Sequence, residues 1–381
     1  MAFRKLTSDI IFNGNRFLKE KVLIVKEDGT IEDIIPLNIA GNDIEVYENI
    51  LSPGFINCHC HLELSHMKGL IPERTGLVDF VFKVVTERNH SEEDILQAIE
   101  NAEREMIQNG IVAVGDICNN ALTIPQKKKN QIYYYNFIEA SGWLPELSEG
   151  RFNRALQLYN DFSTQLEGTN KNPQFAIPNF QTIIPHAPYS VSEDLWKKIQ
   201  PYFKNKVVSI HNQETAFEDE FFLEGKGDFL RMYQLMKIDN KHHLPTQKSS
   251  LQSYFTKLSE ASGVLLVHNT FTSQEDIDFI HKHLLSLSGN VYFCICINAN
   301  LYIENTVPPI ELFRKNNCPI VLGTDSLASN HSLSIINEIR TIRKHFPDIP
   351  LDEILKWGTS NGAQALNMGS KLGSFEKNKK P

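Results

Sequence analysis

The 381-residue chain has few cysteines, and none of its six forms a C-x-x-C pair. Six cysteines are too sparse for a disulfide framework in a chain of this length, and C-x-x-C pairs are the usual mark of cysteine zinc sites and redox centres. We therefore expect reduced thiols. The combined H-x-E and P-C-x-x-C signature of the cytidine-type zinc deaminases is also missing, which disfavours that fold.

Long apolar runs and clusters of basic residues are lacking as well. No stretch of about 18 apolar residues occurs, and residues 1–14 lack the apolar core and cleavage site of a secretory signal. We therefore expect a cytoplasmic protein with no membrane partner. The formal net charge is −8, and apart from the short lysine-rich tail at 376–381 we find no run of basic residues interleaved with aromatics. Nucleic acid is not an expected partner, because its phosphates require a basic surface.

Apolar, β-branched runs alternate with helical patterns along most of the chain, which is typical of a parallel α/β architecture. A (β/α)8 TIM barrel takes about 250 residues, so this chain has room for one barrel and a smaller appendage. The pattern predicts eight barrel strands, at 54–61, 111–117, 133–138, 180–184, 207–211, 264–268, 291–297 and 319–325.

Short alternating segments at 10–12, 22–25 and 31–35 precede the first barrel strand. They predict a small β-sandwich-like domain over residues 1–50, with 368–381 as a candidate to complete it, and they leave 51–367 for the barrel. A capping-box pattern that begins at Ser91 predicts a crossover helix between the first two strands. The connection at 215–262 is far longer than usual, and we expect helices and an active-site lid there.

Two histidines alternate with two cysteines in Cys58-His59-Cys60-His61. Because strand side chains alternate between faces, both imidazoles point to one face, where they can share a metal ion. The spacing is a weak signal by itself. His281-Lys282-His283 has the same spacing in a helical segment, where residues two apart point about 200° apart. We expect this second pair to lie on the surface.

Position strengthens the interpretation of His59 and His61, since catalytic residues of such barrels gather at the C-terminal ends of strands. Other polar residues follow the same rule. They are His186 after strand four, His211 at the end of strand five, His268 at the end of strand six, and Asp325 at the end of strand eight. We expect these side chains to converge at one rim of the barrel. We assign no site role to four other histidines: His66, His90, His331 and His345.

Several segments together resemble the amidohydrolase superfamily, and in particular its deaminase and chlorohydrolase branch. They span roughly residues 50–370 in the family's order. The matching segments are PGFIN at 53–57 with HCH at 59–61, PHAPY at 185–189, His211 with Glu214, Val267-His268, GTDS at 323–326 with ASN at 328–330, and SNGAQAL at 360–366.

The resemblance implies the metal-dependent barrel fold and the role of each site residue. It implies that one divalent ion is held by His59, His61, His211 and Asp325. It assigns acid/base catalysis to Glu214, orientation of water to His268 together with Asp325, and substrate contact to His186. Binuclear relatives use a bridging lysine at the end of strand four, and residues 182–186 contain none. Zinc is the expected ion, with iron and manganese as alternatives.

This chain departs from its relatives at Cys296-Ile297, where they commonly have Cys-Pro. Their C-terminal part also usually returns to the small domain, so the extent of that domain is an open question here. Neither departure affects the expected metal ligands.

The glutamate after the third histidine resembles that of enzymes acting on amidine-like carbons of heterocycles. It implies deamination, and the segments HLELS at 61–65 and FLEG at 222–225 are similar to aminodeoxyfutalosine and S-adenosylhomocysteine deaminases, which act on adenine-type nucleosides. Three alternatives remain: a chlorohydrolase, a cyclic amide hydrolase, and a barrel that only binds a ligand. The expected partner is a small heterocyclic substrate.

Three further residues are candidate substrate contacts. Glu63 follows the histidine pair and is either a substrate contact or a carboxylate that orients a metal-bound imidazole. Arg151 and Arg154 follow the third strand, where they can clamp an anionic group or simply lie exposed. A homodimer is a candidate assembly, since the sequence leaves the oligomeric state open.

Overall fold

The computed structural model describes residues 3–167, 180–284 and 287–381. All eight predicted barrel strands are present, and most of their residues are buried. This burial explains their continuous apolar runs, because helices cover the outer face of a parallel sheet. The strands are β6 (Phe55–Cys60), β7 (Ile111–Cys118), β8 (Tyr133–Ala140), β9 (Phe180–Pro185), β10 (Val207–Asn212), β11 (Gly263–His268), β12 (Asn290–Ile295) and β13 (Ile320–Leu322).

The barrel strands pair in parallel and in chain order as two four-stranded sheets, β6–β9 and β10–β13. Backbone contacts join the sheets at both seams. At one seam the amide of His211 donates to the carbonyl of His186 at 3.0 Å. At the other, Cys60 and Asp325 form a parallel bridge. The C-terminal strand ends therefore meet around one opening, as in a (β/α)8 barrel.

Helices follow the barrel strands in the order that the alternation predicts. Ser91 caps the crossover helix by accepting a hydrogen bond from the amide of Asp94. The helices are α1 (Leu77–Glu87), α2 (Glu92–Gln108), α3 (Ile124–Lys127), α4 (Ser148–Leu166), α5 (Glu193–Ile199), α6 (Ala216–Glu224), α7 (Phe229–Leu235), α8 (Ser250–Tyr254), α9 (Gln274–His283), α10 (Ile297–Ile303), α11 (Ile310–Lys315), α12 (Ile335–His345), α13 (Leu351–Lys356) and α14 (Gly362–Ala365). Among the described residues, no helix has the length and apolar character needed to cross a membrane.

The N-terminal residues form one mixed sheet ahead of the barrel. Its strands are β1 (Phe3–Phe12), β2 (Phe17–Leu18), β3 (Lys21–Lys26), β4 (Ile31–Pro36) and β5 (Glu45–Leu51). The order is β2-β1-β3-β4, and β5 pairs with β1 in parallel. The sequence patterns predicted parts of β1, β3 and β4 but neither β2 nor β5, because these two strands lack a clear apolar alternation.

The C-terminal segment contacts this sheet without adding a strand to it. The amide of Ile31 donates to the carbonyl of Lys379 at 2.8 Å, and the amide of Asn378 donates to the carbonyl of Ile31 at 2.9 Å. Phe375 packs in the small core that contains Ile11 and Leu23. These contacts support the proposal that residues 368–381 complete the small domain, and the domain boundaries themselves stay a prediction.

Candidate active site

The four predicted metal ligands lie together at the C-terminal opening of the barrel. Asp325 Oδ1 lies 3.5 Å from His59 Nε2 and 3.4 Å from His61 Nε2. The Nε2 atoms of His61 and His211 are 3.3 Å apart. The four side chains are nearly or fully buried. The first, fifth and eighth strands of the barrel thus supply one compact group of nitrogen and oxygen donors.

The spacing of these donors fits a divalent ion. Ligand atoms about 2.0–2.1 Å from a tetrahedral ion lie about 3.3–3.4 Å from one another, which is close to the three separations above. His59 is fully buried, and neither of its ring nitrogens has a hydrogen-bond partner among the described residues. A buried nitrogen without a partner is costly, and an ion among these four side chains would satisfy Nε2.

The protonation states also fit a metal site. Burial lowers the pKa of His61 to about 3, and it lowers the pKa of His59 and His211 as well. Burial acts on Asp325 in the opposite direction, but the neighbouring imidazoles outweigh it and bring the pKa of Asp325 well below its usual value. At neutral pH the set therefore offers neutral imidazoles and a carboxylate, which are the forms that bind metal.

Hydrogen bonds from surrounding groups fix the orientation of the ligands. His211 Nδ1 donates to the carbonyl oxygen of His186 at 2.8 Å. The hydroxyl of Ser329 donates to Asp325 Oδ2 at 2.6 Å, which leaves Oδ1 to face the imidazoles. Partners of this kind hold the ring or carboxylate in one geometry and commonly strengthen metal binding.

The last predicted strand ends earlier than expected, and its end places Asp325. Residues 323–325 lie outside β13, and Asp325 has a positive φ of 57°. The amides of Thr324 and Asp325 both donate to the carbonyl of His59 at 3.0 Å. A Cβ atom on Gly323 would lie 2.9 Å from His59 Cβ. The close approach of the two chains requires glycine here, and it brings the carboxylate to the histidine pair.

Glu214 and His268 lie beside the predicted metal ligands. His268 Nε2 is 3.6 Å from Glu214 Oε1, and both side chains are buried. Burial, reinforced by the charge of Asp325, raises the pKa of Glu214 well above its usual value. The amides of Gln213 and Glu214 donate to the buried carboxylate of Glu218, at 3.0 and 3.4 Å. Burial thus favours the protonated form of Glu214, and the two hydrogen bonds hold the backbone at this residue, both of which suit a general acid.

A cavity of about 1080 Å³ opens onto Glu214, His268 and three of the predicted metal ligands, which are His61, His211 and Asp325. All four predicted substrate contacts line it, namely His186, Glu63, Arg151 and Arg154. The pKa of His186 is lowered to about 4, mainly by burial. Its Nδ1 lies 2.8 Å from the hydroxyl of Ser190. Arg151 and Arg154 are exposed, so they border the cavity where it meets solvent.

The long 215–262 connection contributes α6, α7 and α8 and lines one side of the cavity. Trp143 stacks on Tyr233 from this connection, with ring centroids 5.4 Å apart. Trp143 Nε1 also donates to Asn240 Oδ1 at 2.6 Å. His243 stacks on Phe221 with a centroid separation of 4.1 Å. These contacts hold the stretch between α7 and α8 over the cavity wall, and they support the prediction of a lid.

The sequence patterns missed one half-buried glutamate in the cavity, Glu139. A carboxylate oxygen of Glu139 lies within 4.8 Å of donor atoms of His186 and His211. Burial raises the pKa of Glu139 to about 7. Glu139 lies near the end of β8, so the rule that identified the histidines at strand ends also applied to it. It was missed because the predicted strand ended one residue earlier, at 138.

The histidines without a predicted role fall into two groups. His281 is exposed on α9, as expected of the second H-x-H pair, whereas His283 is half-buried because its ring packs against Phe279. His331 is also exposed and lies 3.2 Å from Glu73. His66 differs, because it lines the outer part of the cavity and its Nε2 lies 2.9 Å from the carbonyl oxygen of Arg88.

Comparisons with known proteins agree with this geometry. The adenosine deaminase of Helicobacter pylori is 26% identical over 347 residues, which are 88% of this chain and 78% of that protein. The 5-methylthioadenosine/S-adenosylhomocysteine deaminase of Teredinibacter turnerae is 26% identical over 387 residues, and the match covers 96% of this chain and 78% of that protein. The crystal structure of Helicobacter pylori aminofutalosine deaminase with methylthio-coformycin has the same fold, with a TM-score of 0.79, 23% identity, and coverage of 99% of this chain and 90% of that one. The model of the amidohydrolase family matches residues 50–381, and the chain therefore belongs to the amidohydrolase family.

Proposed function

We propose that this protein is a metal-dependent aminohydrolase that deaminates an amino-substituted nitrogen heterocycle, most simply an adenine-type nucleoside. The observation that carries the proposal is Glu214, a buried carboxyl group with a raised pKa beside the four metal donors. Two relatives with 26% identity are adenine-nucleoside deaminases by name, and this similarity supports the same chemistry here.

One divalent ion held by His59, His61, His211 and Asp325 is the proposed cofactor. Three imidazoles and one carboxylate suit zinc, and iron or manganese are the alternatives, since the ion that is bound depends on metal availability as well as on affinity. When bound, such an ion supplies a water molecule activated for attack at neutral pH.

The remaining steps belong to the chain's own residues. His268 and Asp325 orient the attacking water and take its proton. Glu214 donates its proton to the ring nitrogen as the C–O bond forms. The proton taken from the water passes to the exocyclic amine, and the carboxylate left on Glu214 accepts the hydroxyl proton at the attacked carbon as the C=O bond forms. The C–N bond then breaks and ammonia leaves. The raised pKa of Glu214 suits the first of these transfers, because burial favours the protonated form of the side chain.

The substrate contacts are proposed from the cavity wall. His186 lies next to the metal ligands and hydrogen-bonds the heterocycle or its sugar, while Glu63 faces the same space. Arg151 and Arg154 would meet a polar or anionic group at the solvent end. The cavity slightly exceeds the usual 300–1,000 Å³ of small-molecule sites, so it has room for a nucleoside with a further substituent.

The alternative reactions would use the same metal donors, but they need less proton transfer from Glu214. Chloride leaves a triazine without a proton, and a cyclic amide has no exocyclic amine to release. A barrel that only binds a ligand would not need an acid of raised pKa beside a metal site. The cytoplasmic location and the homodimer stay predictions from the sequence.

The experiment is a substrate panel tested with the zinc-loaded protein. Adenine nucleosides, free bases, pterins, chlorotriazines and cyclic amides are assayed for ammonia, chloride and changes in ultraviolet absorbance. We expect ammonia from adenine nucleosides. Glu214→Gln should keep the metal and lose at least about a hundredfold in kcat, because general acid–base help is worth about 10² to 10⁴. The exposed Glu220 lies on α6, which begins two residues after Glu214, and it provides the control, Glu220→Gln, with unchanged turnover.

Two results would contradict the proposal. Chloride release or ring opening as the fastest reaction, with no release of ammonia, would show that the protein catalyses a different reaction of the amidohydrolase family. Normal turnover by Glu214→Gln would remove this residue from the mechanism.

A further inference from the structure

The proposed acid follows a residue with a strained backbone conformation. Gln213, immediately after β10, has a φ of 44°. This left-handed region is uncommon for residues other than glycine, and such residues keep it only where their surroundings hold it. The turn sends two neighbouring side chains apart, because Glu214 lines the cavity whereas Gln213 is fully buried and does not line it. The position of Glu214 therefore depends on what holds Gln213.

Hydrogen bonds from two helices hold the side chain of Gln213. Its Nε2 donates to Asp219 Oδ2 on α6 at 3.0 Å and to Asp276 Oδ2 on α9 at 2.8 Å. Its Oε1 accepts the hydroxyl of Thr272, just before α9, at 2.8 Å. A buried amide with both ends bonded in this way keeps its residue in one conformation.

Glu218 holds the backbone at the turn and at the proposed acid. The amide of Gln213 donates to Glu218 Oε1 at 3.0 Å, and the amide of Glu214 donates to Glu218 Oε2 at 3.4 Å. The Glu218 side chain is fully buried. Because each oxygen accepts one backbone N–H, a side-chain amide in its place would have an acceptor for only one of the two. The two carboxyl oxygens therefore suit this place.

Both ends of the long 215–262 connection meet at Glu218. Helix α6, which carries Glu218, begins two residues after Glu214, and α8 begins at Ser250. The hydroxyl of Ser250 donates to Glu218 Oε1 at 2.5 Å, and the amide of Ser250 donates to Asp219 Oδ1 at 2.8 Å. The stretch that contains the proposed lid thus returns to the residue that bonds the backbone of the proposed acid.

We propose that Glu218 is a positioning residue for Glu214, and that Ser250 secures Glu218 from the far end of the lid connection. This inference rests on the proposed function and extends it to a residue outside the cavity. Glu218 does not line the cavity, so it acts through the backbone of Glu214 rather than on the substrate. Displacement of a catalytic group by about 1 Å costs about a hundredfold in rate.

A double-mutant cycle tests this role. The zinc-loaded wild type, Glu218→Gln, Glu214→Gln and the double variant are assayed for ammonia release from adenine nucleosides. Glu218→Gln should lower kcat by at least about tenfold and change KM by less than about threefold, because the acid moves while the cavity wall stays. In the Glu214→Gln background the same change should cost less than about threefold, because the residue that Glu218 positions no longer acts as an acid.

Two further variants support the cycle. Glu220 is exposed on the same helix as Glu218, so Glu220→Gln should keep the wild-type kcat. Ser250→Ala removes one hydrogen bond but keeps the carboxyl group, and it should show a smaller loss with the same dependence on Glu214. Equal losses from Glu218→Gln in the two backgrounds would overturn the proposal. So would a Glu218→Gln variant that binds less zinc in elemental analysis, since either result indicates a general loss of structure.

Hydrogen exchange separates failure of this inference from failure of the proposed function, because it needs no turnover. At least one of the amides of Gln213 and Glu214 should exchange about tenfold faster in Glu218→Gln, measured by NMR, while the amide of Ile210 within β10 keeps its wild-type rate. Unchanged exchange at both positions would overturn the positioning role, whether or not the protein is active. A wild type that releases no ammonia from any nucleoside would contradict the proposed function instead.

Discussion

Replacing Lys127 with methionine tests a buried ion pair behind the metal ligands. Lys127 Nζ lies 2.5 Å from Asp116 Oδ2, and the two side chains are 1% and 0% exposed. Burial lowers the pKa of Lys127, but the charge of Asp116 outweighs it and raises this pKa above its usual value. Asp116 Oδ1 also accepts the amide of Leu62 at 2.9 Å, one residue after the ligand His61. The pair therefore supports the turn that follows the histidine motif.

The methionine fills most of the volume of the lysine but leaves the Asp116 carboxylate without its counter-ion. Removal of one partner of a buried pair typically costs about 3–5 kcal/mol, and we expect this loss in the free energy of unfolding of Lys127→Met. The measurement is urea unfolding followed by tryptophan fluorescence and circular dichroism, with attention to whether the two transitions coincide.

Two further variants decide whether the buried charge is the cause. Asp116→Asn combined with Lys127→Met removes the charge and should recover most of the lost stability. Lys128 is the exposed neighbour, and Lys128→Met should stay within about 0.5 kcal/mol of the wild type. A loss below about 1 kcal/mol for Lys127→Met, or a double variant no more stable than the single one, would refute the reasoning.

Three other expectations follow from the site and its lid. His211→Ala should lose most of the bound divalent ion in elemental analysis while the exposed His281→Ala keeps it, and full retention by His211→Ala would contradict the ligand assignment. Ser329→Ala removes the hydrogen bond to Asp325 and should weaken metal affinity about 10- to 100-fold in a chelator competition; an unchanged affinity would count against that contact. Burial lowers the pKa of His243, so its contribution to lid stability is present above about pH 6.5 and is lost as the pH falls through the lowered value. Hydrogen exchange of residues 236–249, corrected for intrinsic rates, should therefore accelerate below about pH 6.5 in the wild type and not in His243→Phe.

The sequence by itself determined the barrel and most of the residues at its rim. Parallel strands are covered on both faces, so their residues form apolar runs that can be counted without a structure. The period of two then places His59 and His61 on one face, and the rule for strand ends selects His211, His268 and Asp325. These predictions depend only on local periodicity and on the known location of active sites in such barrels.

Only the tertiary structure decided how these side chains meet and what surrounds them. Asp325 reaches His59 because the chain leaves β13 with a positive φ and a glycine that permits close approach. Glu139 lies one residue beyond the predicted end of its strand, and the structure places it in the cavity because β8 extends to Ala140. Lys127 likewise has the sequence pattern of a surface lysine, and only the packing of α3 places it against Asp116. Such contacts join residues on different strands and helices, so their distances depend on the packing of the whole barrel rather than on the sequence near each residue.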